Sequence, residues 1–315
     1  MTGKVVAEAP APGSLEDVSR VEGAADGGCT SADKAIAPGK GVKIYADVHK
    51  TNKNGEGFKI TFTADGVTFG NTDSPSEIPV NAGDKLFVDT VPIQHTDAFV
   101  ELLRRGVDVY YLRRLTLVAK KREELKLSKT ARNDIKVLMS LEGKWFRRVS
   151  EDFLVMRRLT STYRTMLKTH QQYVNRYKAV SENERNELKT VIEALEEQMN
   201  RMASKIAVEA GKRYPAYNRL VEELGIDGSP SAKEALAELL TYIDFANSPL
   251  RGIKKLLGLY KPVKSKKKKH WRLYDGVLRQ ALHRLAIAYY GTIPNGRQCW
   301  QLARKIKLAT AQTPG

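Results

Sequence analysis

From about Val149 onward the apolar positions step by three and four. Phe153, Met156, Leu159, Tyr163, Met166, His170, Tyr173 and Tyr177 form one apolar-aromatic stripe, which predicts a long amphipathic helix. Ser181-Glu182-Asn183-Glu184 reads as a capping box opening a second helix. Its seam of Leu188, Ile192, Leu195, Met199, Met202 and Ile206 keeps strict 4-3-4-3-4 steps, the pattern of a short coiled coil. That seam can close on the preceding helix or on another subunit, and the pattern leaves both open. After Tyr214 the repeats shorten. Leu220 to Gly225, the turn Gly225-Ile226-Asp227-Gly228-Ser229-Pro230 and a helix from Ser231 to Ile243 make a helix-turn-helix-like unit. Leu256-Leu257-Gly258-Leu259 ends a further helix. Gly276 to Tyr290 predicts another, with Arg279, His283 and Arg284 off its apolar face.

Upstream of Val149 the pattern is that of an α/β unit, over residues 41 to about 148. Val42 to Asp47 is a short apolar strand ending in a carboxylate. Phe58 to Thr63 alternates, and Ala64-Asp65-Gly66 turns it into Val67 to Gly70 as a hairpin. Lys85 to Asp89 is another strand with a carboxylate at its end. Thr96 to Arg105 predicts an amphipathic helix stopped by Gly106, followed by a strand from Val107 to Leu112 and a long basic helical region from about Leu115 to Leu141. The organisation expected is an α/β domain over 41–148, a helical coiled-coil segment over 149–213 and an α-helical domain over 214–315. Residues 1–40 are rich in Ala, Gly, Pro, Ser and acids and are expected to form a disordered arm.

Charge changes the picture. The 315 residues carry a net charge of +17, which points to a nucleic acid or another polyanion as partner. No apolar run reaches the ~18 residues of a membrane span, and the first residues lack the basic-then-apolar order of a signal peptide, so a cytoplasmic, nucleoid-associated protein is expected. Cys29 and Cys299 have no metal-ligand spacing and read as reduced thiols.

The positive charge is concentrated near the C-terminus. Ten cations fall between Arg251 and Arg272: Arg251, Lys254, Lys255, Lys261, Lys264, Lys266, Lys267, Lys268, Lys269 and Arg272. No acid occurs between Asp244 and Asp275, and Arg279 follows on the next helix. Such a density of fixed charge attracts phosphates, because each one neutralised releases condensed counterions. Ser265 stands inside this run. A serine hydroxyl needs a base, cations or a metal to become a nucleophile, and Lys264 and Lys266 flank it. Tyr260 is a rival hydroxyl whose flanks suggest packing.

The carboxylates supply a second candidate. Asp47 and Asp89 end separate strands, and Asp134 lies in the helical region that follows. Strand-end carboxylates gathered by a parallel core can share Mg²⁺ or Mn²⁺, whose hard charge prefers oxygen ligands and which stabilises the attacking and leaving oxygens of phosphoryl transfer. Positions 131 and 134 share a helix face, but position 131 is Ala. His49, His95, His170, His270 and His283 show no metal-ligand pairing, although His95 with Asp97, or His270, could touch phosphate. No Gly-rich phosphate loop occurs, which argues against an ATP-dependent mechanism.

Together these segments resemble the DEDD-type insertion-sequence transposases of the "one-ten" family. The family's Ile-Asp-Val-x-x-Lys strand is similar to Ala46-Asp47-Val48-His49-Lys50, and its Lys-Thr-Asp-x-x-Asp-Ala motif to Lys129-Thr130-Ala131-Arg132-Asn133-Asp134-Ile135. Its Gly-Ile-Gly turn is similar to Gly225-Ile226-Asp227. Its Gly-Leu-x-Pro element with a following serine is similar to Gly258-Leu259-Tyr260-Lys261-Pro262-Val263-Lys264-Ser265, and its Leu-Arg-x-Ala-Leu helix to Leu278-Arg279-Gln280-Ala281-Leu282. The resemblance runs in order over residues 41–290. It implies a RuvC-like (RNase H-like) N-terminal domain and a C-terminal transposase domain. It further implies Mg²⁺ on Asp47, Asp89 and Asp134, Ser265 as the nucleophile on a DNA phosphodiester, a structured guide RNA that selects DNA, and assembly as a dimer or tetramer in which one subunit's serine completes another's acidic site.

Two departures accompany the resemblance. The family's second acid, usually Glu, is similar to Asp89, which has a shorter reach. Its third, usually Asp, is Ala131. Losing one of four carboxylates weakens metal binding and can abolish catalysis, so this copy is either naturally degenerate or carries an introduced substitution that traps a complex. The intact neighbours Lys129, Thr130, Asn133 and Asp134 favour the second, which an Asp codon in the native gene would support. A RuvC-like structure-selective nuclease and a non-catalytic nucleic-acid-binding relic are the alternatives.

Overall fold

The computed structural model describes residues 41–48, 60–113, 115–259 and 275–311. The N-terminal part is built on strands β1 (Lys43–Val48), β2 (Ile60–Thr63), β3 (Gly70–Thr72), β4 (Lys85–Val88), β5 (Asp108–Leu112) and β6 (Phe146–Arg148). They form one mixed sheet in the order β3-β2-β1-β4-β5-β6. β1, β4 and β5 are parallel neighbours, while β1–β2, β2–β3 and β5–β6 are antiparallel. The hairpin forms, but its second strand is Gly70–Thr72 rather than Val67 to Gly70, because Asp65 Oδ1 accepts the backbone N–H groups of Val67 and Thr68 at 2.8 Å each and holds them in the turn. Strand β6 went unforeseen because three residues are too few to show a period.

Alternation along β1 explains both faces of the sheet. Ile44, Ala46 and Val48 are buried in one core with Leu86, Val88, Val109 and the residues Phe99 and Leu102 of helix α1 (Thr96–Arg104). Gly106, at φ +83°, ends α1 where expected, since only glycine takes that conformation without strain. Tyr45 faces the other way with Phe87 and Tyr110, against Val118 of α2 (Thr116–Glu124) and Val137 and Leu138 of α3 (Ala131–Ser140).

The basic helical region expected over 115–141 is present and consists of two helices. Lys126 adopts φ +53°, which ends α2. Thr130 then caps α3 by accepting the N–H of Asn133 at 3.2 Å, while the Asn133 side chain donates to the Ser128 carbonyl at 3.0 Å. Local side-chain bonds at Ser128–Asn133 outcompete helix continuation.

Beyond Ser150, which caps it, α4 (Glu151–Ala179) runs for 29 residues and returns as α5 (Glu182–Arg213), 32 residues long. The capping box forms, with Ser181 N–H and hydroxyl both donating to Glu184 Oε2 at 3.3 and 2.8 Å. Of the two pairings left open for the coiled-coil seam, the one within the chain is present: α5 lies along α4. Met199 and Ile206 are buried there, whereas Leu188, Ile192 and Leu195 near the hairpin tip are half-buried.

The remaining helices are α6 (Tyr217–Glu223), α7 (Pro230–Tyr242), α8 (Leu250–Leu256), α9 (Gly276–Tyr290) and α10 (Gly296–Ala311). The turn before α7 follows its sequence: Gly225 at φ +60°, Ile226 buried, Ser229 accepting the Ala232 N–H at 3.3 Å, and Pro230 at the first helical position. Helix α7 is enclosed by α5, α9 and α4. Helix α4 enters two cores, contributing Phe153 and Leu154 to the sheet's and Met156 and Tyr163 to the helical one. Cys299 is a buried free thiol in α10, and Cys29 lies outside the described residues. No described helix is long and apolar enough to cross a membrane.

Candidate functional site

Strand β1 carries Asp47 one residue before its end, and β4 is followed directly by Asp89. Because β1 and β4 are parallel with Ala46 opposite Val88, the two carboxylates emerge side by side at the carboxyl end of the sheet, where ligands of parallel sheets bind. Asp89 N–H donates to the Ala46 carbonyl at 3.4 Å, and its Oδ1 accepts the Val48 N–H at 3.0 Å. Asp47 is buried at 5% exposure. Below the carboxylates, Tyr45, Phe87 and Tyr110 stack across the three parallel strands at centroid spacings of 5.1 and 5.0 Å, forming an apolar floor.

Electrostatics tie Asp134 to this pair. The Asp89 carboxyl is pushed up to about 7, first by burial, next by the Asp47 charge and, more weakly, by Asp134, against the lowering effect of the Val48 and Thr90 N–H groups. The three carboxylates thus occupy one electrostatic neighbourhood. Asp134 stands in the first turn of α3, one turn beyond Ala131, and accepts Arg122 Nη1 of α2 at 2.5 Å.

The donor set fits a hard divalent cation. Asp47 and Asp89 offer adjacent carboxylate oxygens, and a cation there would favour the ionised form of Asp89 that burial and the Asp47 charge disfavour. Mg²⁺ needs only one or two carboxylates when water and phosphate oxygens complete its shell. Among the described residues, no three His, Cys, Asp or Glu side chains converge as ligands of one ion. Asp134 is engaged by Arg122, and Ala131 brings no carboxylate.

Ser265, Lys261, Lys264, Lys266, Lys267, Lys268, Lys269 and Arg272 lie outside the described residues, as do Tyr260, His49 and His270. The flanks of that segment are described and held together. Asp275 N–H donates to the Leu256 carbonyl at 2.9 Å, and Arg279 Nη1 donates to the Gly258 carbonyl at 2.8 Å. Arg279 thereby ties α9 to the turn that follows α8. Arg251 and Lys255 are exposed on α8, and Lys254 lies 5.2 Å from the Trp300 ring centre. Of the possible phosphate contacts, His95 is buried at 4% exposure, and Asp97 accepts Arg158 Nη1 at 2.7 Å on the surface. His170 pairs with Glu196 at 2.9 Å.

A second charged cluster was not expected. Arg284, expected off the apolar face of α9, reaches inward instead. Its Nη2 donates to Glu234 Oε2 at 2.6 Å and Glu238 Oε2 at 3.2 Å, and Arg164 Nε of α4 pairs with Glu238 Oε1 at 2.8 Å. Both glutamates are fully buried, and burial drives their carboxyls above the usual range against the lowering pull of the two arginines. The available signal was two acids one turn apart, set among Ala235, Leu236, Ala237, Leu239 and Leu240. The cluster locks α4, α7 and α9 in register. Arg122 was also missed, because its partner lies across a helix boundary the basic pattern concealed.

No protein-family model matches this chain, and no curated protein matches it.

Proposed function

We propose that this chain is a DNA recombinase of the insertion-sequence transposase type, with a RuvC-like N-terminal part and a transposase-like helical part. One observation carries the reading: Asp47 and Asp89 emerge together from adjacent parallel strands, with Asp134 within electrostatic reach. Such a cluster beside a chain of net charge +17 suits work on a phosphodiester. A bound Mg²⁺ or Mn²⁺ would supply charge stabilisation to the phosphoryl oxygens. Asp47 and Asp89 would hold it, and Asp134 would join if Arg122 released it. Ser265 Oγ then bonds to phosphorus as the strand's ribose oxygen departs with a proton, and the phosphoserine diester keeps the bond energy for rejoining. DNA ends, a target, an element-encoded guide RNA and further copies of this chain are the partners this reading requires.

Ala131, the Arg122–Asp134 pair and the lack of three convergent donors among the described residues favour a second reading, a nucleic-acid-binding relic. A denaturing-gel adduct assay separates the two. Ala131→Asp protein, Mg²⁺, labelled element-end DNA and the adjacent RNA are expected to give a covalent protein–DNA species that Ser265→Ala abolishes. Cleavage without an adduct indicates a hydrolytic nuclease, and binding without any reaction indicates the relic. Full strand exchange by Ser265→Ala removes the serine from the mechanism.

A further inference from the structure

Arg122 belongs to no motif singled out in the sequence, yet it makes a close charged contact at the carboxylate cluster. It stands in the last turn of α2, and Asp134 in the first turn of α3. Their side chains meet at 2.5 Å while keeping only 15% and 17% of their exposure. An exposed pair of this type contributes little and exchanges freely with water. A mostly buried one does not: breaking it leaves a charge without compensation. The guanidinium thus supplies Asp134 with the positive charge that a metal ion would otherwise supply. It also accounts for a mismatch in the site, where three carboxylates share one neighbourhood but do not converge as ligands.

We propose that Arg122 is a positioning residue that competes with the divalent cation for Asp134 and so sets how readily the site loads metal. The inference rests on the metal-site reading above. Two physical effects act in the same direction. A fixed cation at the cluster repels an incoming divalent ion, and the ion must take Asp134 from a charge-assisted hydrogen bond before that carboxylate can serve as a ligand. Loading with two ligands, Asp47 and Asp89, is weak. Loading with three requires Arg122 to let go, and a nucleic-acid phosphate is the kind of group a guanidinium would accept in exchange.

Binding of Mn²⁺ to the full chain, followed by electron paramagnetic resonance of the free ion, tests this without any turnover. Arg122→Gln is expected to tighten Mn²⁺ binding at least about tenfold, equivalent to about 1.4 kcal/mol. Arg122→Lys, which keeps the charge, is expected to stay within about threefold of the parent. A merely structural Arg122 would show the opposite, with both variants binding Mn²⁺ no better than the parent and melting at lower temperature. Asp47→Asn separates the two levels of inference. If it abolishes Mn²⁺ binding while Arg122→Gln leaves the affinity unchanged or weaker, competition by Arg122 is wrong and the metal site stands. If Asp47→Asn leaves Mn²⁺ binding unchanged, the metal-site reading fails and this inference fails with it.

Discussion

The Asp89 carboxyl gives the sharpest quantitative handle on the acidic cluster. In the folded chain it titrates near about 7, against an ordinary value of 3.8, chiefly through burial and then the Asp47 charge. The folded state therefore holds the proton more tightly than the unfolded state. This contribution to stability is complete below about pH 4, falls as pH rises, and is fully lost above about pH 7. A gap of roughly three pH units at about 1.4 kcal/mol each gives a ceiling of about 4 kcal/mol. Asp89→Asn keeps an oxygen to accept the Val48 N–H at 3.0 Å but cannot ionise. The variant and the parent should thus be equally stable near about pH 4, and the variant should be more stable by up to about 4 kcal/mol near about pH 8. Urea unfolding at several pH values, with a chelator present, measures the difference. Glu234 and Glu238 shift in the same direction and tilt the raw profiles of both proteins. Subtracting one profile from the other isolates Asp89. Parallel profiles with less than about 1 kcal/mol between them at high pH would falsify the crowded-carboxylate account.

Arg284→Leu strips Glu234 and Glu238 of a shared partner and is expected to cost about 3–5 kcal/mol in urea unfolding. Measured above about pH 8, where Glu234 ionises, adding Glu234→Gln should recover part of that loss, because one buried charge is then gone. Gly225→Ala meets nothing within 4 Å, so its cost is conformational alone. At φ +60° a thermal-unfolding measurement should show a loss of about 1–2 kcal/mol, and Gly225→Asn a smaller one.

Legibility followed the range of the interaction that fixes each feature. Asp47 and Asp89 could be read as strand-end carboxylates because β1 and β4 carry their period and polarity change within a few residues. The α4–α5 hairpin was legible for the same reason, its stripe and capping box being local patterns. The division of 115–141 into two helices was less so. It depends on Lys126 adopting a left-handed conformation and on Ser128 and Thr130 bonding Asn133, choices that a basic, weakly amphipathic stretch does not advertise.

What the sequence determined by itself were the elements set by local chemistry: the glycine stop at Gly106, the turn from Gly225 to Pro230, the capping box at Ser181, and the concentration of positive charge around Ser265. What only the tertiary structure decided were the partnerships across elements. Strand order put Asp47 beside Asp89 and brought Asp134 near them. Helix packing turned Arg284 inward onto two buried glutamates and set Arg122 on Asp134. The physical reason is that a charge's role depends on which partner lies within a few ångströms and on how much water has been removed, and neither quantity has a period along the chain.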